Sequence, residues 1–328
     1  MKTLNNVIII IIMAFISSFS ISCSDVAITG RKQFNIVPDA TLNSMAATEY
    51  SQFLSENKKS TNAQQTSLVQ KVGTRIASAV ETYCNANGMA DRVKGYNWEF
   101  NLVESDEINA WCMPGGKVVV YTGILPVTQD ETGLAVVMGH EIAHAIARHG
   151  GERMSQGLLI EMGGIALSEA LASRPAATQE LFMKSYGIGA NVGYLLPYSR
   201  LQENEADRLG LIFMAMAGYD PQAAVSFWER MANQGNAAQK PPELLSTHPA
   251  DQTRINNLKN YMPEAMSYYK VNPSKAAQPT PAAAAANSTS PRTTAQSTAA
   301  SEITTPKPQT PQATGSWKEI IFGPAKGN

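Results

Sequence analysis

The chain has 328 residues, 44% of them hydrophobic and 16% charged, with a formal net charge of -1. That is enough material for one sizeable core or two modest domains. The near-neutral balance, with no long basic run, excludes nucleic acid as an expected partner.

Lys2 precedes the apolar run "VIIIIIMAFI" from Val7 to Ile16, and small residues then lead to Cys23. The run is too short to span a bilayer, and the order of charge, apolar core and small-residue exit is that of a secretory signal peptide over residues 1–22. The junction "SISC" resembles a bacterial lipobox, although Ser20 stands where leucine is usual. The resemblance implies a lipidated Cys23 that attaches the chain to a membrane, followed by a linker over residues 23–32. With Ser24 rather than Asp next, the expected location is that of an outer-membrane lipoprotein facing the periplasm. An oxidising compartment would let Cys84 and Cys112 pair, and two separate buried thiols are the alternative.

The folded domain is expected over residues 33–270. "DATLNSMAATEYSQFLSE" and "QTSLVQKVGTRIASAVETYC" space their apolar residues as amphipathic helices do. "YNWEFNLVES" alternates as a half-buried strand, and "MPGGKVVVYTGIL" adds a turn and a β-branched run that enters the core. Thr128 and Glu131 have capping-box spacing, which opens a helix over "ETGLAVVMGHEIAHAIARH" that ends at Gly150 and Gly151.

That helix carries His140-Glu141-Ile142-Ala143-His144. Histidines four apart share a helix face, so both imidazoles can reach one Zn²⁺ at roughly 2.0 to 2.1 Å. Glu141 sits beside them, turned away from ligation, where it can take a proton from an activated water and pass it to a leaving amine. Leu134, Val137, Met138, Ile142, Ala143 and Ile146 make the helix mostly apolar. Two buried histidines and a glutamate without a partner would be costly, and a bound metal removes that cost. A third ligand is expected from "SRLQENEADRLG", where Glu203 and Asp207 are four apart; spacing alone leaves Glu205 as an alternative to Glu203. Asp207 then receives the outer N–H of a ligand histidine. His149, about 140° around the helix from His144, reads as a cation at the helix C-terminus rather than a ligand.

"NAWCMPGGKVVVYTGIL", "GHEIAHAIARHG", "SRLQENEADRLG" and "STHPADQTRI" occur in the order found in the zinc metallopeptidases that include HtpX, the CAAX prenyl proteases and the periplasmic proteases BepA and LoiP, and the chain resembles that family over most of the domain. The resemblance implies an α+β fold: a mainly helical zincin-like metallopeptidase domain with a small sheet whose edge strand, within Asn109 to Gly116, borders the active-site cleft and accepts an extended peptide. It implies one Zn²⁺ per chain held by His140, His144 and Glu203, with Glu141 catalytic. His248 is implied as a residue that approaches the zinc, and Arg254 as one that stabilises the oxyanion or substrate; either could instead pin the last helix. Of the named members, the short LoiP-like lipoproteins are the more similar in organisation.

Residues 271–328 are rich in Pro, Ala, Ser and Thr and read as a disordered tail, ending in "SWKEIIFG", which could dock on a partner or remain solvated. The expected function is a zinc endopeptidase that hydrolyses misfolded or unassembled envelope proteins. A chaperone-like binding lipoprotein with a structural metal, and a protease held latent by His248, are the competing readings. The oligomeric state is left open.

Overall fold

The run Lys117-Val118-Val119-Val120-Tyr121 divides its side chains between two cores. Val118 and Val120 enter one, Val119 and Tyr121 the other, as the period-2 alternation of a strand covered on both faces requires. A computed structural model describes residues 23–26, 28–161, 163, 165–188, 199–237 and 242–269. Residues 1–277 belong to one compact unit and 278–328 to a second, none of which is described. The expected signal segment, the tail and its "SWKEIIFG" end therefore lie outside the described residues.

In chain order the elements are β1 (Cys23–Asp25), β2 (Lys32–Phe34), α1 (Asp39–Glu56), α2 (Ala63–Ala86), β3 (Glu99–Val103), β4 (Ala110–Met113), β5 (Lys117–Tyr121), α3 (Leu125–Thr128), α4 (Glu131–Ile146), α5 (His149–Ile160), α6 (Leu167–Ser173), α7 (Pro175–Ser185), α8 (Arg200–Met216), α9 (Ala223–Ala237), α10 (Glu243–Thr247) and α11 (Gln252–Tyr268). The expected mainly helical α+β domain is present. β1 pairs antiparallel with β2, so part of the stretch expected as a linker is paired strand. The main sheet has the order β3-β5-β4, parallel between β3 and β5 and antiparallel between β4 and β5. Gly115 and Gly116, both at positive φ, make the β4–β5 turn that the Pro-Gly-Gly sequence predicts. No described helix is long and apolar enough to cross a membrane.

The larger core joins α2, α4, α8 and α9 to one face of the sheet; the smaller packs α1, α5 and α7 on the other face. β4 is the edge strand beside α4, and its outward and inward residues alike are buried. α4 and α8 form the most extensive helix pair. They can approach because Gly139 and Gly210 face each other: a Cβ on Gly139 would lie 3.1 Å from the Gly210 carbonyl oxygen.

Both ends of α4 differ from expectation. Thr128 does not cap it; its hydroxyl bonds the Leu125 carbonyl within the short α3, Gln129 reverses the chain at φ 68°, and Asp130 accepts from Gly133 N at 2.8 Å as the N-cap. Glu131 is held instead by Lys71 at 2.8 Å and Tyr219 at 2.7 Å. At the other end the helix stops at Ile146, and Arg148 takes the left-handed conformation at φ 60°, held in an ion pair with Asp39. Gly150 and Gly151 lie inside α5, where they serve close packing: a Cβ on Gly150 would collide with the Tyr186 ring at 2.1 Å.

Candidate metal centre

α4 is buried along nearly its whole length, so the polar residues of its HExxH run face inward, away from the surface. His140 and His144 are 2% and 3% exposed, and their Nε2 atoms lie 3.1 Å apart. α8 brings up Glu203. The helix starts with a capping box, in which Ser199 and Gln202 satisfy each other's backbone groups, and this sets Glu203 one turn inside the helix. The signal S-x-x-Q is present in "SRLQ". Glu203 Oε1 lies 3.2 Å from His144 Nε2 and Oε2 lies 3.5 Å from His140 Nε2.

His248 comes from the end of α10, 108 residues beyond His140, and completes the cluster. Its Nδ1 is 2.9 Å from Glu203 Oε1 and 3.2 Å from His140 Nε2, and its Nε2 is 3.5 Å from Glu141 Oε1. One ligand atom from each of His140, His144, Glu203 and His248 lies within 4.8 Å of the others, and these four could hold a metal ion.

The residues fit such an ion on two grounds. Three imidazoles and a carboxylate are a donor set suited to zinc. The buried atoms Glu203 Oε2 and Glu141 Oε1 also have no aligned hydrogen-bond partner, although Glu203 Oε2 is in charge contact with Arg254 Nη1 at 3.0 Å. A cation among the converging lone pairs would remove that cost.

Burial pushes the Glu141 carboxyl up, against the opposing pull of His248 and His140. Burial acts the same way on Glu203, but His248, Arg254 and the hydrogen bonds of His140 and His144 outweigh it and hold the carboxyl well down. Two neighbouring carboxyls therefore have opposite tendencies, one keeping its charge and the other readier to carry a proton.

Outer contacts orient the histidines. Asp207 Oδ1 is 3.0 Å from His140 Nδ1 and is itself gripped by Arg254, with Nη2 donating at 2.7 Å and Nε at 2.9 Å. Arg254 Nη1 donates to the carbonyls of His248 and Pro249, and the guanidinium carbon stands 3.3 Å from the centre of the Trp228 ring. Arg254 thus holds Asp207, Glu203 and the His248 segment in one place. His149 is not the cation at the helix C-terminus that its position suggests. It begins α5, is fully buried, and has its Nδ1 2.9 Å from His144 Nδ1 and its Nε2 3.0 Å from Glu205 Oε2. Burial lowers its proton affinity despite the glutamate. Glu205, the alternative third ligand by spacing, faces His149 instead. Only the break at Arg148, which turns His149 back toward His144, reveals this.

Cys84 and Cys112 are both free and buried, so the pair expected as one option does not form. Burial raises both thiols, and that of Cys84 to about 11.

The model of the family described as Peptidase family M48 matches residues 66–262. The mitochondrial metalloendopeptidase OMA1 of Schizosaccharomyces pombe is 35% identical over 246 residues, 73% of this chain and 66% of the relative. That of Saccharomyces cerevisiae is 34% identical over 56% of this chain and 52% of its own length. The β-barrel assembly-enhancing protease of Escherichia coli is 32% identical over 54% of this chain and 38% of its own length. The chain thus spans from about two thirds to well under half of these relatives. Their names overturn the expected outer-membrane lipoprotein facing the periplasm, because the two fungal relatives are mitochondrial enzymes.

Proposed function

This chain belongs to peptidase family M48, and from that premise we propose that it is a zinc-dependent metalloendopeptidase in which His140, His144 and Glu203 hold one metal ion and Glu141 moves the proton. The observation that carries this reading is the buried convergence of those donors, with two carboxylate oxygens left without aligned partners. When bound, zinc would supply a Lewis acid for the scissile carbonyl and acidify a water molecule. Glu141 Oε1 is free to accept that water's proton and to deliver it to the amine that leaves. Its raised proton affinity suits both halves of the task, because a carboxylate far below neutrality would release the proton only reluctantly. Asp207 holds His140 in one orientation, and Arg254 holds Asp207.

The substrates proposed are unfolded or misfolded proteins, with unassembled envelope proteins as the client class. The edge strand β4 beside α4 supports this, since an extended peptide paired to a sheet edge is read through its main chain rather than its side chains. The Escherichia coli relative is named a β-barrel assembly-enhancing protease, which supports unassembled proteins as clients.

Metal analysis together with a casein digest tests the reading. The purified chain should carry one zinc, lose cleavage on chelation and regain it with zinc. Glu141→Gln should keep the metal and cleave at least about 100-fold more slowly. Equal cleavage by wild type and Glu141→Gln at matched zinc loading would overturn the mechanism. Suppression of client aggregation that ignores the chelator, with no fragments formed, would favour a binding protein instead.

A second reading is favoured by His248, whose Nδ1 lies within 2.9 Å of Glu203 and 3.2 Å of His140. On this reading His248 would stand where water or substrate must reach the metal, and would hold the enzyme latent until a client displaces it. His248→Ala should then raise basal casein cleavage; equal or lower activity counts against the latch.

A further inference from the structure

The turn between β1 and β2 reaches the back of the metal centre. Gly30, at φ 65°, lets the chain reverse there and directs Arg31 at two buried carboxylates. Nη1 and Nη2 donate to Glu152 at 2.7 and 2.8 Å, while Nε and Nη2 donate to Glu205 at 3.0 Å each. The Thr29 hydroxyl adds a bond to Glu205 at 2.7 Å.

With His149 neutral, the contacts that run from Glu205 inward to His144 fix one arrangement of protons. Ionised Glu205 only accepts, so His149 carries its proton on Nε2, 3.0 Å away. His149 Nδ1 is then a lone pair and must accept from the Nδ1–H of His144 at 2.9 Å. His144 is left with a lone pair on Nε2, the atom that faces His140 and Glu203. His140 has its own support from Asp207, so each of the two helix histidines has a separate anchor, and that of His144 runs outward to the N-terminal hairpin.

We propose that Arg31 is a positioning residue for the metal centre, acting through Glu205 and His149 to fix the tautomer and ring orientation of His144. This rests on the reading of His144 as a metal ligand. The competing account makes Arg31 a staple that only ties the hairpin to α5 through Glu152. A staple would affect stability but not the metal.

The test uses the full chain. Zinc affinity is measured by competition with a chromogenic chelator, and site geometry by the visible absorption of the cobalt-substituted protein. Arg31→Met should bind zinc roughly ten-fold more weakly, as loss of a ligand's outer support does, and should shift the cobalt spectrum. Glu205→Gln should do the same, and the double variant should be no weaker than the weaker single variant, because both act on one path. Arg31→Lys, which keeps the cation without the fork, should recover part of the affinity. Glu152→Gln should leave the spectrum unchanged. Wild-type affinity and spectrum in Arg31→Met, or losses that add in full in the double variant, would overturn the inference. Should Arg31→Met not fold, Arg31→Lys is read by the same criteria against wild type. A wild-type chain that binds no zinc overturns the ligand reading itself, and that outcome is distinct from one in which wild type and variants bind equally well.

Discussion

Arg254 is 4% exposed, an unusual place for a guanidinium. Its burial is tolerable because Asp207 takes two of its donors, main-chain carbonyls take others, and Trp228 covers its face. Removing one partner of such a pair leaves the other buried and uncompensated. Arg254→Ala should therefore cost about 3–5 kcal/mol, read as a lower urea midpoint at unchanged slope. Arg254→Lys should recover little of it, since an ammonium cannot bond both carboxylate oxygens in the same plane. The HExxH spacing alone brings His140, His144 and Glu141 to one site. Arg254 and His248 were legible only through resemblance, because no local period connects them to α4.

α4 and α8 meet at two glycines, and the contact sets the reach of Glu203 to both histidines. A Cβ on Gly210 would lie 3.1 Å from the backbone of His140, which has no flexible end to move. Gly210→Ala gains about 1 kcal/mol of helix propensity but meets overpacking of about 1–3 kcal/mol. The expected outcome is a small net loss of stability with a clear loss of zinc affinity, checked by denaturation and chelator competition on the same sample. α1 spans the stretch that its apolar spacing predicts, and the β-branched run of β5 is legible because both faces of that strand are packed. The C-terminal end of α4 departs from the expected stop for a physical reason. Gly150 and Gly151 look like helix stops, yet they are required by Tyr186 and the α5 packing, while the left-handed residue is Arg148.

Across the whole molecule, the N-terminal hairpin is tied to the domain by buried charge. Burial pushes the Glu152 carboxyl up, but hydrogen bonds from Arg31, Gln202 and Gln33 outweigh it and leave the group below its ordinary range. A carboxyl whose proton affinity is lower folded than unfolded stabilises the fold fully above its unfolded pKa of about 4.3, and that contribution fades as pH falls through the folded value. Melting temperature should therefore drop below about pH 4 more steeply in wild type than in Glu152→Gln. Parallel acid limbs would show that Glu152 contributes nothing to it.

Within α4, residue spacing is enough to put His140 and His144 on one face with Glu141 beside it, because the helical period follows from backbone geometry alone. Spacing likewise makes Glu203 and Asp207 point the same way from α8. Packing in three dimensions settles which histidine Asp207 supports, brings His248 against Glu203, and makes His149 join His144 to Glu205 and Arg31. Apart from the His149–His144 contact, which crosses only five residues, those contacts cross 45 to 174 residues of chain, and all of them depend on how packed helices meet, on one left-handed residue and on two facing glycines. Nothing in a local pattern encodes where separately formed elements come to rest.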